Sequence, residues 1–274
     1  MKSFRVCVPL LCLALLAGHA VAQEATDEEL AKAAQNPVAN MVSVPIEYWS
    51  HSADAGNLRA LIAKPVIPTK LGRFNLINRF IVPYASIDAG VGGDIPIGPA
   101  NLGVLPPELD VSGLADITYQ GFLSPAAPGK LIWGAGAALT MPTGSEGLSS
   151  DRWSAGPSVL LLTMPGKFVV GLLAQNVWDF AGSGHKSVNR LTLQPILNYN
   201  FGLGWYAFSA PIWTANWEED EKWTIPLGGG LGKLHRFGKM PIDFKLGYYH
   251  NVERPEKSPD SSILFAVKLL LPTG

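Results

Sequence analysis

Few side chains in this sequence have the type and spacing to do covalent chemistry. Beyond the first two dozen positions the histidines are His51, His185, His235 and His250. A membrane-embedded hydrolase needs a serine and a histidine adjacent in space, with a third group orienting the imidazole. Ser50-His51 and His250-Asn251 are only sequence neighbours, and neighbours on a strand point to opposite faces. No pair of histidines or carboxylates has metal-ligand spacing on a helix, so neither a catalytic residue, a metal nor a cofactor is expected. Glu218-Glu219-Asp220-Glu221 reads as a solvated connection. Gly228-Gly229-Gly230-Leu231-Gly232 lacks the strand-then-helix context and lysine-serine ending of a phosphate loop, and reads as glycines that let a strand bend and pack closely.

What remains is a set of charged and amide side chains within apolar alternating segments: Lys64, Arg79, Asp116, Gln120, Arg190, Gln194, Asn198, Asp243, Lys245 and Lys268. Their chemistry is non-covalent, charge and hydrogen bonds offered to a confined interior. They are expected to line a lumen. The opposing expectation is that they pair with one another and fill it.

The elements that position them read as strands. Twelve candidates run at about 41–49, 57–68, 74–84, 114–124, 131–142, 153–164, 167–178, 189–201, 205–216, 223–233, 240–250 and 262–271. In Arg190 to Phe201, Leu191, Leu193, Leu197, Tyr199 and Phe201 share one face, and Arg190, Thr192, Gln194, Asn198 and Asn200 share the other. Period two with one apolar face is the strand signature. Each candidate has about the 9–11 residues that cross a bilayer as a tilted strand. An arginine or lysine facing lipid near the midplane costs about 2–4 kcal/mol, so the charged face must point inward.

Connection lengths alternate. Thr69–Arg73, Ser124–Lys130, Met164–Lys167, Gly202–Gly204 and His235–Lys239 are tight turns. Between them lie Ser50–Gly56, the long Ala85–Gly113, Thr143–Arg152, Asp179–Val188, Glu218–Lys222 and Val252–Ser261. Short turns at one end and long loops at the other describe an outer-membrane barrel. Tryptophans sit at the strand ends: Trp49, Trp153, Trp178, Trp217 and Trp223 on the loop side, Trp133 and Trp205 on the turn side. That placement predicts two interfacial aromatic girdles.

Composition agrees: 47% hydrophobic, 16% charged and 29 glycines among 274 residues. That is too apolar for disorder, and after the opening segment no apolar run of about 20 residues could form a spanning helix. Lys2 and Arg5, the apolar run Val6–Ala17 and the small-x-small Ala20-Val21-Ala22 read as a signal peptide over 1–22, with Gln23 first in the mature chain. Both cysteines, Cys7 and Cys12, fall inside it. Removing Lys2 and Arg5 leaves 19 basic against 22 acidic residues, with no clustered basic surface for nucleic acid. Residues 23–40 form a separate segment, in which Thr26 and Glu29 match a capping box and Asp27–Gln35 reads as a helix. Residues 41–274 form the barrel.

The segments Glu29–Ala39, Lys64–Pro68, Gly121–Pro125, Asn198–Phe201, Thr214–Trp217, Ile225–Gly230 and Tyr249–Pro255 resemble the bacterial outer-membrane barrels labelled "MetA-pathway of phenol degradation" or transporter, a group also mislabelled neuromedin U. The resemblance runs through nearly all of the mature chain and brings no catalytic residues. One departure is the ending Leu271-Pro272-Thr273-Gly274, where many outer-membrane barrels end in phenylalanine.

The expectation is therefore an all-β protein: a transmembrane antiparallel β-barrel of about twelve strands with a short N-terminal helix. Its place would be the outer membrane of a Gram-negative bacterium, in contact with outer-membrane lipid, after passage through periplasmic chaperones and the barrel-assembly machinery. Its expected function is a passive channel for small, aromatic or apolar compounds. The alternatives are a closed structural or adhesive barrel and, behind it, a membrane hydrolase. The Ala85–Gly113 loop is expected to fold inward and narrow the lumen, and the helix to dock in the periplasmic mouth. Epitope tags within Ala85–Gly113 or Thr143–Arg152 should be accessible on intact cells and a tag in Gly202–Gly204 should not; antibody labelling with the opposite outcome would invert the orientation.

Overall fold

The computed structural model describes residues 26–271 except 55, 92, 98–99, 106–109, 185–186 and 221–222; the signal segment, Gln23 and His185 lie outside the described residues. A helix, α1 (Asp27–Ala34), precedes twelve antiparallel staves. They are β1 (Val42–Ala53), β2 (Gly56–Ala63 continued by Val66–Leu71), β3 (Phe74–Ile87), β4 (Val111–Leu114 continued by Ile117–Pro125), β5 (Leu131–Met141) and β6 (Arg152–Thr163). There follow β7 (Phe168–Gly182), β8 (Asn189–Gly202), β9 (Trp205–Ser209 continued by Trp213–Asn216), β10 (Trp223–Phe237), β11 (Met240–Glu253) and β12 (Ser261–Leu271). Each pairs with the next, and β12 pairs back onto β1 from Val42↔Leu271 to Ser52↔Ser261, which closes the barrel.

Three staves are interrupted, at Lys64-Pro65, Ala115-Asp116 and Ala210-Pro211-Ile212. Pro65 and Pro211 have no N–H to give the ladder. Neighbours bridge two of these gaps: Lys64 N–H donates to the Pro45 carbonyl and Ala115 N–H to that of Pro83. Several staves run past the lengths read from sequence, β1 to Ala53, β3 to Ile87 and β7 to Gly182. Pairing continues there after the apolar alternation has ended. The expected Ala85–Gly113 loop is shorter for the same reason, and it carries a hairpin, Gly93–Ile97 with Ala100–Leu105. Within it Val91 is fully buried in the loop-end apolar cluster.

Alternation sorts the two faces. Ile46, Leu61, Leu172, Leu197, Leu246 and Phe265 are exposed on the outside, a continuous apolar belt of the kind that marks contact with an apolar partner. The inside holds the polar face, and also three apolar clusters. One sits under the loop end (Leu58, Ile62, Ile81, Ile87), one near the turn end (Ile77, Phe122, Leu160, Val169), and one along β9–β12 (Phe208, Leu234, Leu264, Leu270). Gly232 belongs to this packing, because a Cβ there would collide with the ring of the fully buried Tyr206. The Gly228–Gly232 run lies within β10, as a bending and packing feature.

The loop end is covered by residues 143–151. Leu148 from this segment is fully buried. The Asp116 carboxylate holds it, accepting from Gly144 N–H at 3.0 Å, Ser149 Oγ at 2.8 Å, Ser150 N–H at 2.8 Å and Ser150 Oγ at 2.7 Å. Asp116 was expected to line the lumen; instead both its oxygens are committed to this loop. The stave is broken beside it, and the freed geometry turns the carboxylate towards the loop's donors.

The turn end is closed by α1, whose Ala31 and Ala34 are buried against the wall of β9–β12. Small side chains let the helix backbone approach closely. Thr26 caps it and the capping box is complete: Glu29 N–H donates to Thr26 Oγ1 at 3.2 Å, and Thr26 N–H donates to the Glu29 carboxylate at 2.8 Å. That backbone donor, with the Thr26 hydroxyl, lowers the Glu29 pKa below its ordinary value. Asp27 pairs with Arg236 at 3.0 Å, and Lys32 donates to the Met164 and Gly166 carbonyls at 3.1 and 2.5 Å. At the other terminus Lys268 donates to the Ala34 carbonyl at 2.7 Å, a cation at the negative end of the helix dipole.

Thr26→Ala should cost the helix about 1 kcal/mol, seen as faster amide exchange over residues 27–34 with unchanged barrel spectra. Because the Glu29 pKa is lowered by folding, the capping contribution is complete above the unfolded glutamate value and is lost as pH falls through the folded one. Asp116→Ala leaves four donors without their acceptor and should lower stability by about 1–3 kcal/mol, with new protease cleavage inside 143–151 and retained β-sheet circular dichroism.

Candidate functional site

Between the helix and the middle of the barrel lies a cavity with about 140 Å³ open to the centres of water molecules. A single water needs only about 10–15 Å³ by that measure, so a cluster of waters or a small polar group fits. One charged residue from each of five successive staves around the closing seam faces it: Lys245 on β11, Lys268 on β12, Glu47 on β1, Lys64 on β2 and Arg79 on β3. Register explains their common height. Lys268 lies opposite Pro45, Glu47 opposite Ala266, Val66 opposite Arg79, and Lys245 opposite Ala266.

Four cations therefore meet a single carboxylate. Lys64 Nζ donates to Glu47 at 2.6 Å, with both side chains largely buried, and Trp49 Nε1 donates to the same oxygen at 2.9 Å. A charge placed in such an interior is tolerable when paired and hydrogen-bonded. Lys268 is held by the helix terminus, and Lys245 lies 5.9 and 5.3 Å from the centres of the Tyr206 and Phe208 rings. Arg79 differs: its Nε and Nη1 are buried and have no hydrogen-bond partner among the described residues. Across the cavity stand Gln194, which donates to the Ala210 carbonyl at 3.2 Å, and Asn198, which donates to Gln35 Oε1 at 3.1 Å.

A second, smaller cavity lies nearer the loop end, lined by Trp49, His51, Pro211, Ile212, Tyr249 and neighbours. On β1 the inward series Pro45, Glu47, Trp49, His51 passes from one cavity to the other, and on β11 Lys245 is followed by Tyr249 two inward positions later. The two spaces are thus stacked along the barrel axis. Trp49 stacks on His51 with ring centres 5.6 Å apart and lies 5.8 Å from Tyr249.

The ten polar residues read from sequence divide accordingly. Lys64, Arg79, Gln194, Asn198, Lys245 and Lys268 come together on the lower cavity. The other four lie elsewhere. Gln120 bonds Gln175 at 2.5 Å, Asp243 takes the Tyr206 hydroxyl at 2.7 and 2.8 Å, Arg190 is buried near the loop end, and Asp116 anchors its loop. Glu47, Gln35 and Phe208 were missed, although Glu47 opposes Ile46 and Tyr48 in strict alternation. Trp49 requires a correction: it shares the inward face of Glu47 and His51, and β1 continues four residues past it, so it lines a cavity rather than a girdle. Trp133, Trp153, Trp205 and Trp217 are exposed at or just beyond the stave ends, Trp178 is exposed on the outside of β7 four residues before its end, and Trp223 packs edge-on against Trp217 at 5.9 Å.

The histidines do not form a hydrolytic unit among the described residues. His51 Nδ1 meets Ser262 Oγ at 2.7 Å, but Nε2 has no partner and no carboxylate orients the ring. His250 is exposed on β11.

The fold is similar to a COG4313 outer membrane channel from Pseudomonas putida F1, with 18% identity over 84% of this chain and 96% of that one and a TM-score of 0.60. The toluene transporter TodX from Pseudomonas putida also aligns, with 11% identity, 88% and 93% coverage and a TM-score of 0.44. No curated protein matches the chain. The family described as "Putative MetA-pathway of phenol degradation" matches residues 52–258. With more than half of its length and most of its barrel inside that match, the chain belongs to this family of outer-membrane β-barrels.

Proposed function

We propose that this barrel is a passive channel of the Gram-negative outer membrane for small aromatic or apolar compounds, reached after removal of the 1–22 segment. The observation that carries the reading is the stacking of two cavities along the barrel axis. A barrel built only as a surface anchor gains nothing from keeping such space, and filling it with larger side chains would add burial. The apolar outer belt and its terminal tryptophans suit lipid contact with headgroups at both ends. The family description, with its reference to phenol degradation, points towards aromatic solutes.

The passage is narrow. Twelve strands give a wider barrel than the eight that side chains just fill, yet here apolar clusters and α1 occupy most of the gain. Solutes crossing it would do so singly, past the Trp49–Tyr249 pair and then beside the helix. Outer-membrane lipid, periplasmic chaperones and the assembly machinery are the partners this reading requires.

Planar-bilayer recording and solute uptake into proteoliposomes test it. The full mature chain should give small discrete conductance and slow uptake of a neutral aromatic such as benzyl alcohol. Deleting residues 23–35 should raise both several-fold while heat-modifiable gel migration stays intact. If neither form conducts or admits the solute, the closed structural barrel is the better reading.

A further inference from the structure

We propose that the two stacked cavities form one binding site for an amphipathic monocarboxylate, its apolar ring beside Trp49 and Tyr249 and its carboxylate on Arg79 and Lys245. The proposal deepens the channel reading and rests on it for the site's purpose, though binding itself can be measured separately.

The lower cavity is lined by Lys64, Arg79, Lys245 and Lys268, with Glu47 as the one carboxylate among its described lining residues; the buried Asp243 stands opposite Lys268 in the register and takes the Tyr206 hydroxyl. These cations lie close enough to feel one another electrostatically. Two of them are already committed, Lys64 to Glu47 and Lys268 to the helix terminus. The Arg79 Nε and Nη1 hydrogens are buried and unmatched among the described residues. Buried donors without acceptors are costly, and a guanidinium N–H donates strongly to a carboxylate oxygen. Lys245 has its ammonium over the Tyr206 and Phe208 rings. The excess charge and the open donors call for an anion.

The rest of the ligand follows from the upper cavity. That cavity is lined by Trp49, Tyr249, Ile212 and three prolines, with His51, Thr224, Asn251, Ser258 and Ser262 as its polar members, and by no lysine or arginine among the described residues. Glu47 and Trp49 are two positions apart on one strand, about 7 Å along it. That spacing is close to the length of a benzene ring bearing a carboxylate, so a molecule of this size has the reach to place its ring beside Trp49 and its carboxylate in the lower cavity. A hydrophilic anion would leave the upper cavity unfilled, and a neutral aromatic would leave Arg79 unmatched. A mostly apolar pocket with a few fixed polar groups is the usual form of a small-molecule site.

Isothermal titration of the full mature chain in neutral detergent at low ionic strength is the test, with benzoate, benzamide, acetate and inorganic phosphate as probes. Benzoate should bind at least ten-fold more tightly than each of the others. Arg79→Gln should remove most of the benzoate preference and leave benzamide unchanged. Lys245→Gln, a second variant that keeps Arg79 in place, should act in the same direction, and Lys239→Gln in the exposed turn should change nothing. Heat-modifiable migration checks that each variant is folded. Equal binding of benzoate and benzamide, or no benzoate binding, overturns the proposal. So does a preference that survives both lumen substitutions. Phosphate or acetate binding as tightly as benzoate also overturns it, leaving a site for simple anions. Benzoate selectivity without any solute uptake would sink the channel and leave the site standing; uptake without selectivity would do the reverse.

Discussion

Closure of the β1–β12 seam is the constraint from which the rest of this structure follows. Eleven register pairs, Val42↔Leu271 to Ser52↔Ser261, join the first stave to the last. Once the ring is shut, every stave has two neighbours and its backbone groups are satisfied laterally, which is what allows strands to sit in hydrocarbon. Closure also divides the side chains without compromise, since each residue faces either the apolar surroundings or the enclosed lumen. A stave slipped by one residue would put Glu47, Lys64 and Arg79 outside and their aliphatic neighbours inside. The polar interior is therefore a consequence of the ring, and so is the need to satisfy it there.

The lumen meets that need in three ways. Some charges pair, as Glu47 does with Lys64 and Trp49. Others anchor the segments at the two ends: Asp116 fixes residues 143–151, and Lys268, Arg236 and the Asn198–Gln35 contact fix the helix. Amide pairs such as Gln120–Gln175 satisfy each other within the wall. Arg79 lines the lower cavity with its Nε and Nη1 unmatched among the described residues. Among the buried polar atoms that the wall leaves unmatched, the Arg79 donors are the ones that belong to a cation on the lower cavity.

The stave breaks have a related role. Lys64-Pro65 and Ala210-Pro211-Ile212 interrupt the ladder where the cavities lie, and residues from both breaks line them. A continuous strand projects its inward residues at even steps along the wall. A break with proline lets Lys64 and Pro211 take positions outside that step, which leaves room between opposite walls.

Much of this was legible in the sequence. Period-two alternation marked the clearer staves, connection lengths sorted short turns from long loops, and Thr26 with Glu29 marked the helix, because each is a local pattern written over neighbouring residues. The inward side of Lys64, Arg79, Lys245 and Lys268 was also readable, as a cost of placing charge in hydrocarbon. Trp49 was misplaced because its position near an apolar stretch's end looks the same whether the ring faces lipid or lumen; only the continuation of β1 to Ala53 and its pairing with β12 settle the face. Asp116 looked like any inward carboxylate, and its loop donors lie about thirty residues further along the chain. Which charges share a cavity, which are spent on the ends, and which is left unmatched depend on contacts between staves far apart in sequence. Local pattern fixes which way a side chain points, but only the closed ring decides what it meets there.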